Sequence, residues 1–153
     1  MYSEKRQLLE FVVARQKELA PIQHLEVPNG GWIQLIRKSI GMSLRQLGAR
    51  LNISAQSVRD IERREAQGSI TLSSLQEAAK ALDMKVVYAI VPETDTLQTL
   101  IEKRARVLAT EIVERAHHNM LLDHTEMADE KKTGAIQERT HRLINEMPRY
   151  LWD

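Results

Sequence analysis

Residues 43–65 read Ser-Leu-Arg-Gln-Leu-Gly-Ala-Arg-Leu-Asn-Ile-Ser-Ala-Gln-Ser-Val-Arg-Asp-Ile-Glu-Arg-Arg-Glu. The pattern is two short amphipathic helices, Leu44–Leu51 and Ala55 to about Glu65, separated by Asn52-Ile53-Ser54. Ser43 and Ser54 stand where a side-chain oxygen can cap each helix. Asn52 tolerates the left-handed conformation that so sharp a turn requires. Ile53 is expected to be the apolar plug between the helices. This is the chemistry of a helix-turn-helix.

The second helix sorts by side. At about 100° per residue, Val58 and Ile61 point one way, with Glu62 and Glu65 alongside. Gln56, Arg59, Asp60 and Arg63 point the other way. An outward amide, carboxylate and two guanidiniums match base edges: Gln reads adenine, Arg guanine and Asp cytosine, and the Ala55 methyl can meet that of thymine. Ser43, Arg45, Ser57, Arg63 and Arg64 flank this face and are expected on phosphates. Ala55, Gln56, Arg59 and Asp60 are expected at bases, with Ser54 at the entrance of the same surface. The plainer alternative is a solvated polar helix face.

Working outward, Trp32–Ile40 reads as a helix ended by Gly41, and Leu72–Leu82 as one capped by Thr71. Trp32 is expected to anchor the core. Upstream, Ser3–Ala20 reads as a helix with Leu8, Val12 and Leu19 on one face and Leu9 and Val13 beside them, stopped by Pro21. Residues 21–31, with Pro28-Asn29-Gly30-Gly31, read as a linker. Downstream, Lys85–Val91 is short and β-branched and is closed by Pro92, which predicts a strand. A long helix follows over Leu97–Leu122, capped by Thr96. Its stripe is Leu97, Ile101, Leu108 and Ile112, with Ala105 and Ala116. Asp123–Gly134 is expected to be a polar turn. A last helix is expected from about Ala135 to Met147, presenting Ile136, Leu143 and Met147, with Trp152 packed on the tail helices or, as the alternative, exposed to bind a partner.

The 153 residues include no Cys, which excludes disulfides, thiolate metal sites and a Cys nucleophile. The composition is that of a soluble globular protein, expected in the cytoplasm; no membrane span or signal-peptide pattern is expected. The net charge of +1 conceals an asymmetry. Residues 31–66 carry seven bases against three acids, whereas residues 93–153 carry nine bases against twelve acids. A basic middle fits a polyanionic partner.

Residues 32–92 resemble the lambda-repressor-like, XRE-type helix-turn-helix family, with Leu44, Leu47, Leu51, Ile53, Val58, Ile61, Leu75 and Leu82 at its packing positions. The resemblance implies that Arg37 pairs with Glu62, beneath Trp32 or Leu35. Four longer stretches, Gly31-Trp32-Ile33, Gly41-Met42-Ser43-Leu44, residues 65–75 and Val87–Pro92, together with the tail beginning Ile101-Glu102-Lys103-Arg104-Ala105, are similar to the family called mobile mystery protein A. That likeness implies a DNA-binding, antitoxin-like neighbour of a Fic/Doc-domain protein. The expected architecture is all-α: an N-terminal helix and linker (1–30), a lambda-repressor-like helix-turn-helix bundle with one short strand at its end (31–92), and a C-terminal helical extension (93–153).

Enzymatic readings find little. A Fic active-site loop needs His-x-Phe, and the only Phe is Phe11. Ser73–Glu77 and Thr110–Glu114 have the spacing of a Fic-inhibitory motif but are followed by Ala78 and Arg115. His117, His118 and His124 include no His-x-x-x-His pair, so solvated or capping histidines are expected rather than a metal site. No catalytic residue, metal or cofactor is expected. The leading expectation is a sequence-specific repressor on double-stranded DNA; its rival is an interaction module that neutralises a toxin through the helical tail. The lone strand needs a partner. A second copy, paired antiparallel through Val86, Val87, Tyr88 and Ile90, would give a homodimer and an inverted-repeat operator. Pairing with the 21–31 linker is the alternative.

Overall fold

The computed structural model describes residues 2–93, 95–123 and 127–153. Among these, the helices are α1 (Tyr2–Glu18), α2 (Trp32–Ser39), α3 (Leu44–Leu51), α4 (Ala55–Ala66), α5 (Leu72–Ala81), α6 (Leu97–Leu122) and α7 (Asp129–Glu146). Single 3-10 turns lie at Ala20–Ile22 and Arg149–Trp152. The chain divides into two compact units. One is Pro21–Ile90; the other joins Met1–Ala20 to Val91–Asp153.

In the Pro21–Ile90 unit each short helix is bounded by its own side chains. Ser43 caps α3 in a full capping box with Gln46, Ser54 caps α4 and Thr71 caps α5. Such caps are worth roughly 1 kcal/mol each, which matters for helices too short to stand alone. Asn52 adopts φ 55°, the left-handed turn expected of it. Ile33, Leu47, Val58, Ala78 and Leu82 form the buried core, with Leu44, Leu51, Ile61 and Leu75 packed against it.

Three expectations for this unit fail. Trp32 is 39% exposed, and the next residue, Ile33, takes the core position instead. Ile53 is exposed rather than a plug; it is its backbone that lies close to α3. No strand forms among the described residues: Lys85–Val91 has no regular secondary structure. A β-branched run can supply strand propensity, but the ladder needs a second backbone.

In the second unit, Glu114 on α6 meets Lys132 on α7, and Leu143 reaches the Ile101–Ala109 stretch, so the two helices run antiparallel. Ala105 and Ala109 are fully buried, and small side chains there let the helix axes approach. Leu143 and Leu151 fill the space between. Arg104 ties the C-terminus down: its Nε donates to the Leu151 carbonyl at 2.6 Å, and its Nη2 donates to the Asp153 carbonyl. α1 contributes Leu9 to this core, and the Lys5 ammonium donates to the Met147 carbonyl at 3.0 Å.

Here the differences from expectation are mostly of phase and extent. α7 begins at Asp129 rather than near Ala135. Asp129 and Glu130 in its first turn suit the positive end of the helix dipole, and Gly134 sits inside the helix without ending it. On α6, Ala109 and Val113 are buried while Ala116 is exposed. On α1, Leu9 and Val13 are half-buried, as is Leu19 just beyond it, whereas Leu8 and Val12 are exposed. Trp152 is exposed and its neighbour Leu151 is buried in its place.

Candidate nucleic-acid interface

The turn that aims α4 depends on a residue too small to attract notice. The Ile53 amide donates to the Gly48 carbonyl at 2.9 Å. A Cβ at Gly48 would lie 2.6 Å from the Ile53 carbonyl oxygen, which is backbone and cannot rotate away. Gly48 is buried on α3 and is what permits α4 to start so close behind it. At the start of α4 the Ser54 hydroxyl accepts from the Ser57 amide at 3.1 Å, and the two serine hydroxyls are 2.9 Å apart.

The inner side of α4 is held by polar bonds as well as by packing. Val58 is fully buried and Ile61 half-buried. Between the next turns, the Arg37 guanidinium grips the Glu62 carboxylate in two places: Nε donates to Oε1 at 2.5 Å and Nη2 to Oε2 at 3.1 Å. Arg37 Nη1 donates to the Met42 carbonyl at 2.8 Å, and the Gln34 side-chain amide adds a bond to Glu62 at 3.4 Å. The two charges are 7% and 3% exposed. A buried ion pair this well satisfied is better explained as a register device than as a source of stability. The expected cover is corrected: Trp32 and Leu35 both stay exposed.

One turn further along α4, Glu65 makes a second tie. Its carboxylate accepts from the Trp32 amide at 2.8 Å and the Ile33 amide at 3.0 Å. It thereby caps α2, whose own N-cap residue Gly31 has no side chain to do so. Gly31 sits at φ 80°, and a Cβ there would lie 2.7 Å from Glu65 Oε2. The signal was present in the sequence. The N-cap position of α2 is a glycine rather than Ser, Thr, Asp or Asn, so its first amides needed an acceptor from elsewhere.

The outer side carries the residues expected at DNA. Gln56, Arg59, Arg63 and Arg64 are exposed and Asp60 is half-buried. Asp60 Oδ1 accepts from Arg63 Nη2 at 2.9 Å and from the Gln56 amide at 3.4 Å. One carboxylate thus orders the two donors on either side of it. Arg64 Nε reaches the Asp60 carbonyl at 3.4 Å. Arg45 and Arg59 are exposed, with no ion pair among the described residues. Ala55 and Ser57 are half-buried at the helix start. Ser43 has its oxygen engaged as the α3 cap, which leaves its hydroxyl proton to donate. Arg50 is used otherwise: its Nη1 donates to the Ala81 carbonyl at 2.9 Å and lies 3.4 Å from Asp83.

The remaining sequence candidates do not assemble. Among the described residues no group of His, Asp and Glu could hold a metal ion. His117 is half-buried with an unpartnered Nδ1, His118 is exposed, and His124 lies outside the described residues. Glu114 is engaged by Lys132 at 2.7 Å. The Lys132 hydrogen bond, the Lys132 charge and, after them, His117 hold its carboxyl below the usual carboxylate range. Val87, Tyr88 and Ile90 are exposed and Val86 is half-buried. No helix among the described residues is long and apolar enough to cross a membrane.

Residues 33–88 match the model of the helix-turn-helix family, in its XRE-type form, a domain of DNA-binding regulators. No curated protein and no solved structure matches the chain.

Proposed function

We propose, for a chain whose residues 33–88 form an XRE-type helix-turn-helix, that it is a sequence-specific transcriptional repressor of its own promoter. The observation that carries this reading is the two-sidedness of α4. Glu62 and Glu65 fix its roll from the inside, while Gln56, Arg59, Asp60 and Arg63 face outward. A helix rigidly held and rich in base-matching groups is what major-groove readout needs. Ala55, Gln56, Arg59 and Asp60 address base edges. Ser43, Arg45, Ser57, Arg63 and Arg64 position the helix on phosphates, with Ser54 at the entrance of the same surface. Bound at a promoter, the domain blocks polymerase access.

The repressor acts as a homodimer on an inverted repeat. Residues 85–91 supply the contact: Val86, Val87, Tyr88 and Ile90 pair antiparallel with the same stretch of a second copy. Most of these side chains are exposed in the single chain, and two-fold pairing would give both backbones a ladder. The antitoxin-like partnership with a Fic/Doc-domain protein rests on the sequence resemblance. Its contact would be the helical unit, where Leu100 and Val107 lie exposed on α6.

Binding to operator variants across a salt series tests the reading. Arg59→Ala should cost about 1–3 kcal/mol and relax preference at one base position, whereas Arg64→Ala should weaken all sequences evenly. Affinity indifferent to salt would overturn it, because phosphate contacts release counterions. Val87→Pro should convert a sedimenting dimer to monomer, since proline removes a ladder donor. Arg59→Ala that loses DNA but keeps a Fic/Doc partner would separate the two roles.

A further inference from the structure

α1 has two apolar sides and uses one. Leu9 and Val13 are half-buried on its inner side, and Leu9 joins the core of the helical unit. Leu8 and Phe11 are 62% and 61% exposed, and Val12 is exposed beside them. At about 100° per residue, Glu4, Leu8, Phe11, Val12 and Arg15 share one arc of roughly 100°. The Arg15 guanidinium lies 5.3 Å from the centre of the Phe11 ring, within cation–π range of it. The seam 4, 8, 11, 15 advances by four, three and four residues, the spacing by which two helices interlock.

The charges on this seam select its occupant. It is acidic at Glu4, apolar at Leu8 and Phe11, and basic at Arg15, whose guanidinium also lies 3.4 Å from the exposed Glu18 carboxylate. Laid against a reversed copy of itself, Leu8 opposes Phe11 and Glu4 opposes Arg15, at both ends at once. A parallel copy would set Glu4 against Glu4 and Arg15 against Arg15, which like-charge repulsion disfavours. The seam's balanced charge also gives no attraction to an anionic membrane surface.

We infer that the outer face of α1 is a homotypic contact, packed antiparallel on α1 of a second copy of this chain. A seam this short falls below the roughly 1,000 Å² expected of an interface that stands alone. It acts between copies already held together, where effective concentration favours a second contact. The inference therefore rests on the two-copy particle proposed above, but not on how residues 85–91 pair.

The absence of cysteine makes the test clean. Leu8→Cys protein mixed with Phe11→Cys protein should form a disulfide-linked heterodimer under mild oxidation. The yield should be at least fivefold above that of the same mixture with Arg6→Cys replacing Phe11→Cys. Arg6 is also well exposed but lies outside the seam. Adding Glu4→Arg or Arg15→Glu to both proteins should cut the yield about fivefold, and adding both changes should restore it. All of these positions are exposed, so folding should survive, and circular dichroism checks that it does. A cross-link no better than the Arg6 control, or one indifferent to the charge reversals, overturns the contact. A wild type that sediments as a dimer and dissociates with Val87→Pro, yet gives no Leu8–Phe11 link, overturns the α1 contact while leaving the 85–91 pairing in place. A specific link that survives Val87→Pro supports the α1 contact and counts against that pairing.

Discussion

The Pro21–Ile90 unit and the α6–α7 pair solve the same problem, holding helices in register, by opposite means. In the first, short helices are fixed by polar bonds at defined atoms: Arg37 to Glu62, Glu65 to the first amides of α2, and a serine or threonine at the head of α3, α4 and α5. In the second, long helices lie along one another through Ala105, Ala109, Leu143 and Leu151, and the polar ties are peripheral. Directional bonds fix both distance and angle between the helices they join, and a surface that must match DNA needs that. Apolar packing sets proximity and tolerates adjustment of similar volume.

The contrast is sharpened most by breaking the buried pair. Arg37→Met or Glu62→Gln alone should cost about 3–5 kcal/mol, because each leaves a buried partner uncompensated. The double variant should lose less than the sum in thermal melts. Strictly additive losses would mean that the two side chains do not act together.

The helical unit's counterpart is a cavity. Leu143 is 1% exposed, and Leu143→Ala should cost about 2–5 kcal/mol. Leu143→Met should cost far less, as a volume-conserving change. Denaturant titration of both variants measures this, and equal losses would show that packing there is more specific than described.

A smaller effect is expected at the turn. Gly48→Ala should cost about 1–3 kcal/mol, as overpacking does, because its Cβ would meet the Ile53 carbonyl. Ala is otherwise favoured over Gly in a helix by about 1 kcal/mol, so a stabilised variant would show that the turn can relax. The operator affinity of Gly48→Ala should fall further than its stability alone explains, since the shift tilts α4.

The smallest expected effect is the one governed by pH. The Glu114 carboxyl is held below its usual range chiefly by its hydrogen bond from Lys132. Its contribution is fully present above the ordinary carboxylate value and is lost as pH falls through the lower folded value. Lys132→Ala should remove that dependence while barely moving the melting temperature at neutral pH, because the carboxylate is exposed. NMR titration of the Glu114 side chain in both proteins checks the direction.

The sequence by itself determined α3, α4 and the left-handed Asn52 between them, because those signals are local. Ser43, Asn52 and Ser54 act within a turn or two of their own position, and the period of Leu44, Leu47, Leu51, Val58 and Ile61 is set by the helix itself. The outward placing of Gln56, Arg59 and Arg63 followed from the same period. Tertiary structure decided what depended on a distant atom. Glu65 caps a helix that begins more than thirty positions away, and Gly48 matters only because the Ile53 carbonyl arrives against it. Side-by-side residues were beyond periodicity too: Ile33 rather than Trp32, Leu151 rather than Trp152, and Leu9 rather than Leu8 turn inward. Adjacent apolar positions differ by about 100° around a helix, and only the neighbouring helix chooses between them. For Lys85–Val91 the propensity was written in the chain, but a strand is made by two paired backbones, and among the described residues no strand forms there.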